Sequence, residues 1–108
     1  MRLSAGIVVA LMVAASIACD NTSTSTNTTK SVTVGDNYFA PETQTVSVGD
    51  SVLFLWGGNA GHDVMTASGG TWCGTRATGL CSVKFTTPGS YPYFCHWHPG
   101  MEGTIEVQ

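Results

Sequence analysis

Positive charge is scarce in this chain, with four Lys and Arg among 108 residues against seven Asp and Glu. The four are Arg2, Lys30, Arg76 and Lys84, and no two are neighbours. Without a basic cluster the chain offers no electrostatic footprint for nucleic acid or for anionic lipid head groups. Histidine is as rare: His62, His96 and His98 are the whole supply, which excludes any centre that needs many imidazoles. No segment beyond the N-terminal leader repeats its apolar residues at helical spacing, so a helical bundle is excluded. The longest apolar run, Ile7 to Ala15, is shorter than the ~20 residues that a bilayer-spanning helix needs.

That run does have a meaning. Arg2, the apolar core and Ser16-Ile17-Ala18 before Cys19 have the form of a bacterial export signal, residues 1–18. Ser16-Ile17-Ala18-Cys19 resembles a lipobox, in which Cys19 is lipidated and becomes the new N-terminus, although Leu is usual where Ser16 stands. The same residues also pass as an ordinary small-x-small cleavage site. The place of Cys19 and the segment after it favour lipidation. That segment, completing residues 19–30, runs Asn21-Thr22-Ser23-Thr24-Ser25-Thr26-Asn27-Thr28-Thr29-Lys30. With no apolar residue to bury it is expected to stay disordered, a tether with an r.m.s. reach of about 17–19 Å. Such a protein would be exported and held in the periplasm or at the outer face of the cytoplasmic membrane through lipid on Cys19. From Cys19 onward three basic and seven acidic residues give a charge of 3 − 7 = −4.

From Ser31 the texture changes. Val32 and Val34 alternate with polar residues, as do Val46 and Val48, and Gly49-Asp50 marks a turn. Val52-Leu53-Phe54-Leu55-Trp56 is apolar at every position, as expected of a strand covered on both faces. Further short β-rich runs start at His62, Ser82, Tyr91 and Thr104, separated by Gly, Pro, Asn and Asp. This punctuation predicts an all-β domain over residues 31–108, a small sandwich or barrel.

The last residues of that domain carry the chemistry. Cys95, His98 and Met101 follow one another as Cys-x2-His-x2-Met. A thiolate, an imidazole and a thioether from one loop suit a soft-to-borderline metal, towards copper rather than magnesium or calcium. Strand parity over Tyr91 to Cys95 puts Tyr91, Tyr93 and Cys95 on one face and Phe94 and His96 on the other. With Cys95 inward, His96 points away, and His62, where a loop re-enters the sheet, is the natural fourth donor. Each residue alone has a blander reading: a lone inward Cys is usually a small hydrophobe, and Met101 could be filler. Their joint occurrence favours a metal set of His62, Cys95, His98 and Met101. With Cys19 and Cys95 so assigned, Cys73 and Cys81 remain for a disulfide, as an exported chain permits. The rival use, a binuclear copper site, would need a second cysteine close before Cys95, and Cys81 lies fourteen residues away.

From Val46 to Gln108 the chain resembles a cupredoxin, a type 1 (blue) copper protein of the plastocyanin/amicyanin group. The resemblance rests on Phe39-Ala40-Pro41, Val48-Gly49-Asp50-Ser51-Val52, the loop before His62, and Thr87-Pro88-Gly89-Ser90-Tyr91-Pro92-Tyr93-Phe94-Cys95. The short Cys-x2-His-x2-Met loop is closest to amicyanin. The resemblance implies a Greek-key β-sandwich of about seven or eight strands and one copper ion. It further implies one-electron transfer by Cu(I)/Cu(II) cycling, with Met101 the long axial ligand. Trp97 and Pro99 beside His98 would form a docking patch for redox partner proteins, or Trp97 would shield the site.

Two departures from the pattern stand out. Asp63 follows His62 where the family usually has Asn, which keeps hydrogen bonding between the ligand loops while adding negative charge that favours Cu(II). The stretch holding Trp72, Cys73 and Cys81 is expected to be an insert. An enzyme such as a copper oxidase or nitrite reductase would need more histidines than this chain has. Copper delivery or storage without redox duty is the alternative to electron carriage, though no Met-rich or His-rich tract supports it. The chain is expected to be a monomer.

Overall fold

The computed structural model describes residues 28–108, so the expected leader, the expected lipidation of Cys19 and most of the tether lie outside the described residues. Among the described residues are nine strands and no helix. They are β1 (Thr29–Val34), β2 (Phe39–Ala40), β3 (Thr43–Val46), β4 (Ser51–Trp56), β5 (His62–Thr66), β6 (Thr71–Arg76), β7 (Gly79–Lys84), β8 (Gly89–Phe94) and β9 (Glu102–Val107). One sheet runs β3-β9-β8-β5-β6 and the other β2-β1-β4-β7. The pairs β3–β9 and β1–β4 are parallel, and every other pair is antiparallel.

Alternation builds the core between the sheets. Val32 and Val34 of β1, Val52, Phe54 and Trp56 of β4, Tyr93 of β8, and Ile105 and Val107 of β9 all point inward and are buried. Each fully buried Val, Ile or Phe is worth roughly 1.5–3 kcal/mol. Aromatic edges meet faces at the centre, Phe54 on Tyr93 at 5.4 Å and Phe39 on Tyr93 at 4.7 Å between centroids.

Several expectations need correction. Thr29 and Lys30, expected to belong to the tether, are part of the sheet, because they pair in β1 with Ser51 and Val52 of β4. The Thr28 N–H donates to Asp50 Oδ1 at 2.9 Å, and Lys30 Nζ donates to the Thr45 carbonyl at 2.7 Å. Asp50 is itself buried, and the N–H groups of Ser47 and Thr28 hold its carboxyl below the ordinary range. β4 is central in its sheet but covered on one face only: Leu53 and Leu55 stay half-buried on the outside. Val48 lies past the end of β3, where the chain turns, and is exposed.

Cys73 and Cys81 pair in the expected disulfide. They lie in β6 and β7, the edge strands of opposite sheets, and their disulfide ties the two sheets together along one side. Trp72 beside them packs on Phe85, Phe54 and Tyr93, so this stretch closes the core.

Candidate metal centre

Strand β8 aims Cys95. Tyr93 and Cys95 are buried on one side, whereas Phe94 is half-buried and His96 exposed, the parity expected from the sequence. After Cys95 the chain makes a tight loop back into β9. The Cys95 N–H donates to the Met101 carbonyl at 3.0 Å, and the Met101 N–H donates to the His98 carbonyl at 3.1 Å. Gly100 takes φ 84° at the crown, a left-handed conformation that suits glycine. The closure puts Met101 under the loop, almost wholly buried, and leaves His98 half-buried.

Strand β5 supplies the other wall. Its pairing with β6 slips between His62 and Val64 and again between Val64 and Met65, and a bulge re-aims side chains. Here it buries His62, Asp63 and Val64 in succession, which simple alternation would forbid. The Trp56 indole N–H donates to the His62 carbonyl at 3.1 Å and fixes the start of the strand.

The ring nitrogens Nδ1 of His62 and His98 lie 3.1 Å apart, and Cys95 Sγ is 3.8 Å from the first and 3.6 Å from the second. Donors held 2.0–2.3 Å from one first-row cation are separated from each other by about 3.5 Å. The three atoms therefore fit a single ion, and the His2Cys donor set suits copper. His62, Cys95 and His98 form such a group among the described residues.

His96 stays outside it. Its backbone N–H donates to Asp63 Oδ1 at 2.9 Å, and its Nδ1 meets Asp63 Oδ2 at 2.6 Å. Asp63 is buried, so one carboxylate links the strand of His62 to the loop of Cys95. Trp97 is exposed, lies against the His96 ring at 4.1 Å, and donates its indole N–H to Thr75 Oγ1 of β6 at 2.9 Å. Pro99 is exposed beside His98.

One residue escaped the sequence reading. Asp36, in the β1–β2 connection, places Oδ1 3.3 Å from His62 Nε2. The same oxygen accepts the N–H groups of Asn59 and Ala60 at 2.7 and 3.0 Å. Bonds from Ala60, then Asn59, then His62 hold the Asp36 carboxyl below its ordinary range. No spacing rule joins Asp36 to His62, twenty-six residues on; the nearest signal was a lone Asp in a Gly-Asp-Asn turn.

Comparison with known proteins agrees with this geometry. A model of copper-binding proteins of the plastocyanin/azurin family matches residues 26–108. Plastocyanin of Scenedesmus fuscus is 35% identical over 86 residues, 65% of this chain and 86% of that protein. The oxidised plastocyanin structure from Dryopteris crassirhizoma superposes with a TM-score of 0.63 at 27% identity, covering 72% of this chain and 99% of that one. An oxidised amicyanin variant has the same fold, with a TM-score of 0.64 at 23% identity over 73% of this chain and 81% of its own.

Proposed function

The chain belongs to the plastocyanin/azurin family of copper-binding proteins, its cofactor is one type 1 copper ion, and from that premise we propose that it is a one-electron carrier of the bacterial cell envelope. The observation that carries the proposal is the convergence of His62 Nδ1, Cys95 Sγ and His98 Nδ1 within 3.8 Å of one another at a buried point. Copper held there by His62, Cys95 and His98 would supply a Cu(I)/Cu(II) couple, and two imidazoles with a thiolate and a thioether are donors that suit both states. Met101, buried under the same loop, would supply the thioether as the fourth donor.

The chain's own part is to hold these donors still and dry. The Cys95–Met101 and Met101–His98 backbone bonds fix the loop, the Trp56 indole fixes His62, and the core beneath excludes water. His98 alone of the three donor residues is only half-buried, flanked by the exposed Trp97 and Pro99. That edge is the proposed docking patch for a donor and an acceptor protein, a small and transient contact. The leader, the lipobox-like Cys19 segment and the Ser/Thr-rich tether support an exported, lipid-held protein, and a disulfide fits an oxidising compartment. No catalysis is assigned to this chain alone.

Cyclic voltammetry of the copper protein tests the proposal. A reversible one-electron wave with fast self-exchange is expected. Sluggish redox together with copper hand-over to an apo-acceptor would instead identify a delivery or storage module.

A second expectation concerns Asp63. Its carboxylate adds a negative charge next to His62, which favours Cu(II). An Asn keeps the Oδ1 acceptor for the His96 N–H and loses the charge. Asp63→Asn is expected to raise the potential by a few tens of millivolts, where ~59 mV is a tenfold change for one electron. An unchanged or lowered potential would reject this role.

A further inference from the structure

His62 is wholly buried, and its Nδ1 faces Cys95 Sγ and His98 Nδ1. An imidazole that binds metal through Nδ1 carries its proton on Nε2, and a buried N–H needs an acceptor. Solvent cannot serve a ring with no exposed surface. Asp36 Oδ1, 3.3 Å from Nε2, is the acceptor the fold provides.

The carboxylate is built in, not stranded nearby. The chain from β4 to His62 folds over it, with the Asn59 and Ala60 N–H groups donating to the same Oδ1. Gly58 makes this wrapping possible, since a Cβ there would overlap the Asp36 carboxylate. One oxygen thus organises both the loop that delivers His62 and the far edge of the His62 ring. The Asp36 side chain is 44% exposed, so solvent screens part of its charge, but one imidazole is all that separates it from the metal donors.

We propose that Asp36 is a positioning residue for the copper centre. It fixes His62 in the tautomer that turns Nδ1 to the metal, and its charge, relayed through the imidazole, holds the reduction potential down. The inference rests on the ligand set proposed above. It predicts that charge and orientation can be separated by two substitutions.

Asp36→Asn keeps an oxygen for all three N–H donors and removes only the charge. The Cu(II)/Cu(I) equilibrium is expected to move about tenfold towards Cu(I), ~59 mV for one electron, with the visible band in place. Glu106→Gln removes the same charge from β9, where Glu106 accepts the Ser90 hydroxyl at 2.9 Å away from the ligands, and is expected to move the potential far less. Asp36→Ala removes the acceptor as well, and copper affinity is expected to fall about 10–100-fold. In 1H–15N spectra of the Cu(I) protein, the His62 Nε2 proton is expected to exchange slowly in wild type and Asp36→Asn and rapidly in Asp36→Ala. A wild-type band with no potential shift in Asp36→Asn, or a shift matched by Glu106→Gln, overturns the role of Asp36 alone. So does an equally protected ring proton in Asp36→Ala. A wild-type Cu(II) protein without the intense band overturns the ligand set itself.

Discussion

Replacing Cys95 by Ser is expected to abolish the intense blue or green absorption of the Cu(II)-loaded protein and to weaken copper binding by at least a hundredfold. That absorption belongs to a thiolate–copper bond, and Cys95 is the single free cysteine among the described residues. A serine hydroxyl is a hard donor that keeps its proton near neutral pH, so the site loses the soft ligand that selects copper. The fold should survive. The bond from the residue 95 N–H to the Met101 carbonyl is unaffected, and the new hydroxyl lies close to two ring nitrogens with which it can pair. The expected result is therefore an apo-protein melting within a few degrees of wild type, with no visible band when Cu(II) is added. A persisting band in the serine variant would overturn the type 1 assignment.

The convergence of His62, Cys95 and His98 was legible because the chain offers so few such residues. With three histidines and a single Cys-x2-His-x2-Met loop, strand parity was enough to discard His96, and the structure places His96 on Asp63 instead. What alternation could not foresee was the double slip of β5 against β6. A period-two strand would have set Asp63 opposite His62, whereas the bulge buries both and lets the Asp63 carboxylate reach across to the loop of Cys95. Asp36 was invisible for a different reason. It approaches His62 through tertiary structure, along a β1–β2 connection and a glycine-rich loop that have no common period. The two-sided cover expected for β4 failed because apolar composition does not say which face another layer occupies; Leu53 and Leu55 lie on the outer face of a two-layer sandwich.

The expected Cys73–Cys81 disulfide joins strands of two different sheets, and that position gives it a large expected effect. Cys73 and Cys81 are eight residues apart, and closing so short a loop is worth about 2.5 kcal/mol in the chain-entropy model. Because β6 and β7 belong to different sheets, the bond also holds the sandwich shut along its β6–β7 side. There Trp72 packs over Phe85 at 5.2 Å. In a domain of this size, whose total stability is of order 5–15 kcal/mol, such a staple is a substantial fraction. The double variant Cys73→Ala/Cys81→Ala is the clean test, since serine would bury a hydroxyl at position 73, which is 2% exposed. It is expected to lose about 2–5 kcal/mol and to lower the Tm of the apo-protein by at least about 10 °C. Below that transition the copper spectrum should be retained, because none of the three donors is on β6 or β7. Thr75, which accepts the Trp97 indole N–H, ties β6 to the ligand loop, and β6 also pairs with the strand of His62, so any spectral change should be small and should be partly reproduced by Thr75→Val. An unchanged melting temperature in the double variant would show that the two sheets are held at this edge by the Trp72 cluster and need no covalent bond.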